Sequence, residues 1–321
     1  MRPKIATSTT VRVRAPARLH LGFLDMNGAL GRRFGSIGLA VDRPATRVTV
    51  ARADTNSASG AESARALTLA KMFGRGSRTG FAIDIEEAIP AHAGLGSGTQ
   101  LALAIGTAIA RLEGRELAIQ DLAGLGERGA RSGIGLAAFT SGGFLVDGGR
   151  GPQNHAPPLT LRSDFPDDWR VLLMLDPSRA GVSGEAEKKA FEALPEFPEP
   201  SAAHICHLVL MKLVPGLKER DIKAFGDALT EIQTIVGGHF ASRQGGSPWT
   251  SPAVGRIASR MQDLGATGIG QSSWGPTGFA FVEGDEAAVR LYHSLVEAAK
   301  ADGVEIVIAR GRNTGARVET A

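Results

Sequence analysis

The run PAHAGLGSGTQLALAIGTAIARLEG, residues 90–114, constrains the fold more than any other part of the chain. From about residue 98 to residue 112 it carries Leu, Ala and Ile around the whole of a 3.6-residue period. The helix predicted there has no polar face to give to water and must be covered on all sides. A helix buried in that way carries its head into the protein with it. The head is a loop with glycines at 94, 96 and 98, where backbone N–H groups converge on the positive end of the helix dipole. An anion site is the physical expectation, and Ser97 and Thr99 add hydroxyls suited to phosphate oxygens or a magnesium ion. Taken alone, the loop reads equally well as a glycine-rich turn between a strand and a buried helix.

Covering such a helix needs a large apolar layer, and 321 residues at 43% apolar and 21% charged supply it, with room for two domains. The formal charge is +3, and no basic run is interleaved with aromatics, which argues against a nucleic-acid partner. Cys206 is the single cysteine, so no intrachain disulfide forms and a reducing compartment fits. The basic, hydroxyl-rich start MRPKIATSTTVRVRAPARLH is not followed by an apolar stretch of signal-peptide length. No segment approaches the ~18 uninterrupted apolar residues of a membrane span. A cytoplasmic protein with small-molecule partners is expected, with no membrane association.

Ahead of the buried helix, VRVRA (11–15), ARLHLGFL (17–24), SIGLAV (36–41) and TRVTVA (46–51) read as short antiparallel strands punctuated by Pro or Gly. A helix over 60–73 and a strand over 81–85 follow, and a second helix is expected over 117–128. The aperiodic, Pro-rich stretch 151–168 marks a boundary, giving domains over 1–160 and 161–321. The second half reads as a strand (169–175), helices near 184–194, 202–213, 219–236 and 253–264, strands at 267–270 and 278–282, a helix over 285–299 and a strand over 304–309. This mixture without strict βαβ alternation is α+β, and the tail after Arg310 is expected to be loose.

Several polar residues stand out. Arg18 and His20 alternate on one strand and share a face; His20 is a candidate proton donor or an ordinary strand residue. Asp25 and Arg32 flank an NG-containing hairpin turn and project from one end of it, toward a ligand or into solvent. Asp147 ends the strand of FLVDGG and is a candidate metal or substrate carboxylate, or a turn residue. The loop GIGQSSWGPTG (268–278) has four glycines and a proline, yet Trp274 sits in its middle, where a plain phosphate loop has no need of an indole.

In order and spacing, APARLHLGFLD, PAHAGLGSGTQ and GIGQSSWGPTG resemble the three motifs of the GHMP kinase superfamily, over nearly the whole chain. The resemblance implies an α+β, GHMP-kinase-like two-domain fold. The N-terminal domain would be of the ribosomal S5 domain 2 kind and the C-terminal domain ferredoxin-like, with the active site in the cleft between them. Many of those kinases carry an aspartate in an SG.D pattern as base toward the substrate hydroxyl; here the segment is Ser132, Gly133, Ile134, Gly135. Phosphoryl transfer to an alcohol thereby loses its usual proton acceptor. The set RLHLGFLDMNG.LGR, GLGSGTQ, RSGIG..AF..GGF.VDGG and GQSSWGP is similar to the GHMP-related β-ribofuranosylaminobenzene 5'-phosphate synthase family of tetrahydromethanopterin biosynthesis. That resemblance implies a decarboxylating phosphoribosyltransferase, which joins phosphoribosyl diphosphate to 4-aminobenzoate or 4-hydroxybenzoate and releases diphosphate and CO2. The alternative is an ATP-dependent small-molecule kinase.

The implied chemistry assigns roles. Diphosphate leaving the anomeric carbon needs fixed N–H donors, cations and magnesium. Gly94, Gly96, Ser97, Gly98 and Thr99, with Arg18, are the expected phosphate site, and Ser97, Asp25 and Asp147 the expected magnesium ligands. Asp25, Arg32 and His20 are the catalytic candidates. Trp274 is expected as a stacking wall for the ring acid, with Gln271, Ser272 and Ser273 as its polar anchors. The para substituent of the ring supplies the electrons, so neither pyridoxal phosphate nor thiamine diphosphate is required, and no NAD is expected. Amino and hydroxy acids are not distinguished, since Ser or Gln pairs with either. Oligomeric state is open, a homodimer being only the general prior.

Overall fold

The computed structural model describes residues 9–126, 132–152, 156–181 and 189–321. Two long strands organise the first half. β1 (Thr10–Asp25) and β2 (Phe34–Ala53) pair antiparallel along most of their length, so each absorbs two of the short strands expected from the sequence. The prolines that read as breaks sit in one irregularity: Pro16 faces Ala45 but Ala17 faces Val41, and residues 42–44 bulge out between them. The C-terminal half of β2 pairs with β4 (Gly80–Glu87), which carries β3 (Ser57–Gly60) on its outer edge. The N-terminal half of β2 pairs with β5 (Phe144–Asp147), and β5 with β6 (Leu159–Ser163).

The tail is not loose. β11 (Arg317–Thr320) returns across the molecule to pair antiparallel with β1, placing Val318 opposite Val13. One apolar residue in a polar tail gives no period to read, which is why the sequence pointed elsewhere. Helices α1 (Ser63–Phe73), α2 (Ser97–Leu112), α3 (Ile119–Leu125) and α4 (Ile134–Thr140) belong to this half. Every residue of α2 from Gln100 to Gly106 is buried, as its all-round apolar pattern requires.

In the second half, β7 (Trp169–Leu175), β8 (Thr267–Gln271), β9 (Gly278–Glu283) and β10 (Glu305–Arg310) form an antiparallel sheet in the order β10-β7-β9-β8. That order is the ferredoxin-like one. Around it lie α5 (Glu199–Leu208), α6 (Val214–Glu219), α7 (Ile222–Phe240), α8 (Pro252–Asp263) and α9 (Asp285–Ala301), with a π-helical turn, Val209–Leu213, joining α5 to α6. Of the helix expected over 184–194, the part before residue 189 lies outside the described residues, and 189–192 is helical. Leu19, Leu21 and Phe23 of β1 share one core with Ile232, Val236 and Phe240 of α7, so the two halves are not separately packed. Among the described residues no helix is long and apolar enough to cross a membrane.

Candidate active site

The loop at the head of α2 and the loop between β8 and β9 touch backbone to backbone. Gly94 has φ 81°, and a Cβ on it would lie 2.3 Å from the Ser272 carbonyl oxygen. A Cβ on Gly275 would lie 2.4 Å from both the Ala93 oxygen and the Gly94 nitrogen. At these two positions a side chain has no room, so the glycines are there for close approach. Ser272, 0% exposed, pins the junction to β1: its hydroxyl donates to the Gly94 oxygen at 2.7 Å and accepts the His20 N–H at 3.0 Å. Arg18 adds Nη1 to the same Gly94 oxygen at 2.8 Å, and its N–H donates to Leu95 O at 3.1 Å. Three segments separated by some 75 and 180 positions thus meet at one point.

The head of α2 is built for a guest. Its N-cap is Gly96, with φ 80° and no capping side chain, so the first-turn N–H groups lack the oxygen that a Ser or Asp cap supplies. Ser97, Gly98 and Thr99 are half-buried. A cation rests over them: a Cβ on Gly98 would lie 2.6 Å from Arg65 Nη2. Sequence reasoning missed Arg65 because it lies on α1, and no spacing ties α1 to the loop. On the other side, a Cβ on Gly135 would meet Thr99 Cγ2 at 3.3 Å, and the Gly135 carbonyl accepts from Gln100 Nε2 at 2.8 Å. The position that holds a carboxylate in the kinase pattern is packed against the helix head.

Several expected ligands have other employment. Asp147, 0% exposed, accepts on Oδ1 from the N–H groups of Ser36 (3.1 Å) and Gly149 (2.9 Å), and on Oδ2 from the Ser132 hydroxyl (3.1 Å) and the Gly133 N–H (2.8 Å). Four donors fill its acceptor sites, so it ties β2 and β5 to the head of α4 and is not a magnesium ligand. Burial raises its pKa in spite of those bonds. Gln271 is committed as well: Oε1 accepts from Thr250 N at 2.6 Å, and Nε2 donates to Gln244 Oε1 at 3.1 Å and to Ser273 O at 3.0 Å. It braces the loop and has no group left for a ring acid. The polar partners of Asp147 and Gln271 come from distant segments, which no local pattern reveals.

Trp274 is a core residue, 3% exposed. Its indole stacks on Phe191 (centroids 4.5 Å apart, planes at 22°) and meets Phe240 at 4.8 Å and 67°. The expectation of a ring with little bulk beside it fails, because the bulk arrives from segments far away in sequence. Ser273 is different. It holds a left-handed φ of 57°, is half-buried, and its hydroxyl has no partner among the described residues. It lines, with His20, Phe23 and Phe240, a cleft of about 10 Å³. His20 is 3% exposed, with its ring 4.3 Å from that of Phe23.

At the hairpin, Asp25 Oδ1 accepts the N–H groups of Asn27 (2.7 Å) and Gly28 (2.9 Å). Arg32 donates Nε to Gly148 O (2.6 Å) and Nη2 to Gly149 O (2.7 Å). Among the described residues no group of three His, Cys, Asp or Glu side chains has metal-holding geometry. With Asp147 filled and Asp25 Oδ1 doubly engaged, the protein offers no cage of its own. A magnesium ion here would be held chiefly by substrate phosphates, with the Ser97 or Thr99 hydroxyl as an added ligand.

Residues 62–143 match the family model of the GHMP kinases N terminal domain, and residues 213–301 that of GHMP kinases C terminal. The chain is 32% identical to the beta-ribofuranosylphenol 5'-phosphate synthase of Archaeoglobus fulgidus, over 96% of this chain and 99% of that protein. It is 32% identical to the protein of the same name from Methanothermobacter thermautotrophicus, over 95% of this chain and 97% of the relative. Among solved structures, homoserine kinase from Cytophaga hutchinsonii aligns over 99% of this chain and 100% of its own, with a TM-score of 0.68 at 18% identity, a likeness of fold alone.

Proposed function

This chain belongs to the family of beta-ribofuranosylphenol 5'-phosphate synthases, enzymes on the GHMP kinase fold, and from that membership and the geometry of the site we propose its reaction. It joins phosphoribosyl diphosphate to 4-aminobenzoate or 4-hydroxybenzoate, releasing CO2 and diphosphate, as a step of tetrahydromethanopterin biosynthesis. The phenol in the relatives' name favours 4-hydroxybenzoate, since loss of CO2 from that acid leaves a phenol.

The bond from the anomeric carbon to diphosphate breaks, and the diphosphate takes the electron pair. The ring carbon that bears the carboxylate bonds to the anomeric carbon. The bond to the carboxyl carbon then breaks, its pair returns to the ring, and CO2 leaves. No net redox change or external proton is required.

The observation that carries this reading is the packing of Gly135 against Thr99, which leaves an anion-binding helix head with no room for an alcohol-activating carboxylate. The uncapped N–H groups at residues 97–99 would hold the diphosphate, with Arg65 above them screening its charge as it leaves. Arg18 and Ser272 keep the loop in place through Gly94. Ser273 and His20 would be the polar contacts of the ring acid. Their cleft has room for no more than a water, so the ring would lie over it. Trp274 acts from behind, fixing the loop through Phe191 and Phe240.

Mass-spectrometric detection of the ribosyl phosphate product from phosphoribosyl diphosphate, 4-hydroxybenzoate and magnesium, without ATP, tests the reading. An ATP-dependent phosphate ester of an alcohol as the only product would replace it with the kinase.

A further inference from the structure

We propose that the cavity at the tip of the β1–β2 hairpin is a phosphate-monoester site, and, resting on the reading above, that it takes the 5'-phosphate of the ribosyl substrate. The cavity has a volume of about 540 Å³, and its walls include Arg32, Arg33, Arg150, Phe34, Phe191 and Glu192. Arg33 and Arg150 form an isolated antiparallel bridge, exchanging N–H···O bonds at 3.0 and 2.8 Å. In such a pair the side chains leave one face with Cα atoms about 5.5 Å apart. Like charges placed directly opposite oppose pairing, so an anion between them would relieve a standing cost.

The guanidinium groups are oriented before any ligand arrives. Arg32 is held through Nε and Nη2 by the Gly148 and Gly149 carbonyls, which leaves Nη1 to donate. Arg33 donates Nε to Met26 O at 2.9 Å, and its guanidinium carbon stands 5.4 Å from the centre of the Phe34 ring, which leaves both of its terminal nitrogens. Among the described residues neither arginine is within ion-pair distance of a carboxylate. Their field is felt nearby: burial, and then the charge of Arg33, push the His239 pKa down.

Charge and chemistry both select a phosphate. Three arginines against the single carboxylate of Glu192 leave a surplus that a dianion balances better than a carboxylate, and fixed guanidinium groups suit its oxygens. The carboxylate of the ring acid is lost during the reaction, so a firm grip on it would oppose its departure. The 5'-phosphate passes through unchanged, and a remote, non-reacting group is the one on which binding is best spent. Asp25 lies five residues beyond His20 on β1, about 16 Å along an extended strand, so the cavity and the head of α2 form two separate anion holds for a substrate charged at both ends.

The test is calorimetric titration of the full chain with two half-substrates, ribose 5-phosphate and inorganic diphosphate. Ribose 5-phosphate should bind the wild type in the presence of saturating diphosphate. Arg33→Gln and Arg150→Gln should each weaken it by about 10-fold or more, the loss of a charge-assisted hydrogen bond, while leaving diphosphate affinity unchanged. Retained diphosphate binding also shows that the variants are folded. Undiminished ribose 5-phosphate binding in both variants, competition between the two probes, or equal loss of both would overturn the proposal. So would a rise in KM confined to the ring acid, which would make the cavity that substrate's site. Because the titration needs no turnover, its failure is distinct from failure of the reaction assigned above.

Discussion

Gly275→Ala puts the junction between the two loops under direct strain. The added Cβ would sit 2.4 Å from the Ala93 oxygen and from the Gly94 nitrogen, about 1 Å short of ordinary contact. Both obstacles are backbone atoms in a buried turn, so neither can swing aside as a flexible side chain would. The loops must part by about that distance, at a cost of about 1–3 kcal/mol, the usual range for overpacking. The α2 head lies within a few residues of Gly94, and a displacement of about 1 Å at a catalytic centre costs about 100-fold in rate. The assay is kcat/KM for product formation alongside urea unfolding, with Gly124→Ala as control. A Cβ at Gly124, on α3, meets nothing within 4 Å, so that variant should keep full activity and stability. If Gly275→Ala matches the wild type in both measurements, backbone contact at Gly275 is not what positions the anion site, and the reasoning from glycine packing fails.

Other consequences follow from the same packing. Trp274→Ala should destabilise by about 3–5 kcal/mol in denaturant unfolding, because it empties an aromatic cluster, whereas Trp274→Phe should lose much less. Asp147→Asn turns an NH2 group toward two of four donors and should cost about 2 kcal/mol or more, yet the magnesium dependence of the residual activity should match the wild type. A shifted magnesium requirement would restore Asp147 as a ligand. Asp176 is held below the usual carboxylate range: burial works to raise it, but the Ser178 and Ser251 hydroxyls, each at 2.6 Å, prevail. A depressed folded pKa stabilises above the unfolded value and is lost as pH falls through the folded one. The stability gap between wild type and Asp176→Asn should therefore hold from about pH 5 to 7 and close below about pH 4. A gap independent of pH would sink that assignment.

What was legible in the sequence follows the range of the interactions. The buried helix α2, its glycine-rich head, and the strand at Trp169–Leu175 are set by local periodicity and local conformational needs, and they stand where the pattern put them. The α+β class and the ferredoxin-like half were legible for the same reason, the latter through its family resemblance. β6 and β11 were not, because each is short, largely polar and defined by its partner strand. Within the site, positions 18–20, 94–99 and 272–275 were singled out correctly as places that come together. The division of labour among them was not visible. Gln271 and Asp147 carry functional side chains, but residues up to 111 positions away had already claimed their hydrogen bonds. Trp274 looked isolated between glycines because Phe191 and Phe240 reach it only in the folded chain. Arg65 was hidden by the opposite effect, an ordinary helix residue that folding sets over Gly98.

The central claim is that an anion-binding helix head inherited from a kinase fold here drives a decarboxylating ribosyl transfer. Release of labelled CO2 from carboxyl-labelled 4-hydroxybenzoate by the purified protein measures this most directly. The account predicts release that depends on phosphoribosyl diphosphate, matches diphosphate formation mole for mole, and is indifferent to ATP. Absence of labelled CO2, together with ATP consumption on addition of an alcohol, would contradict it.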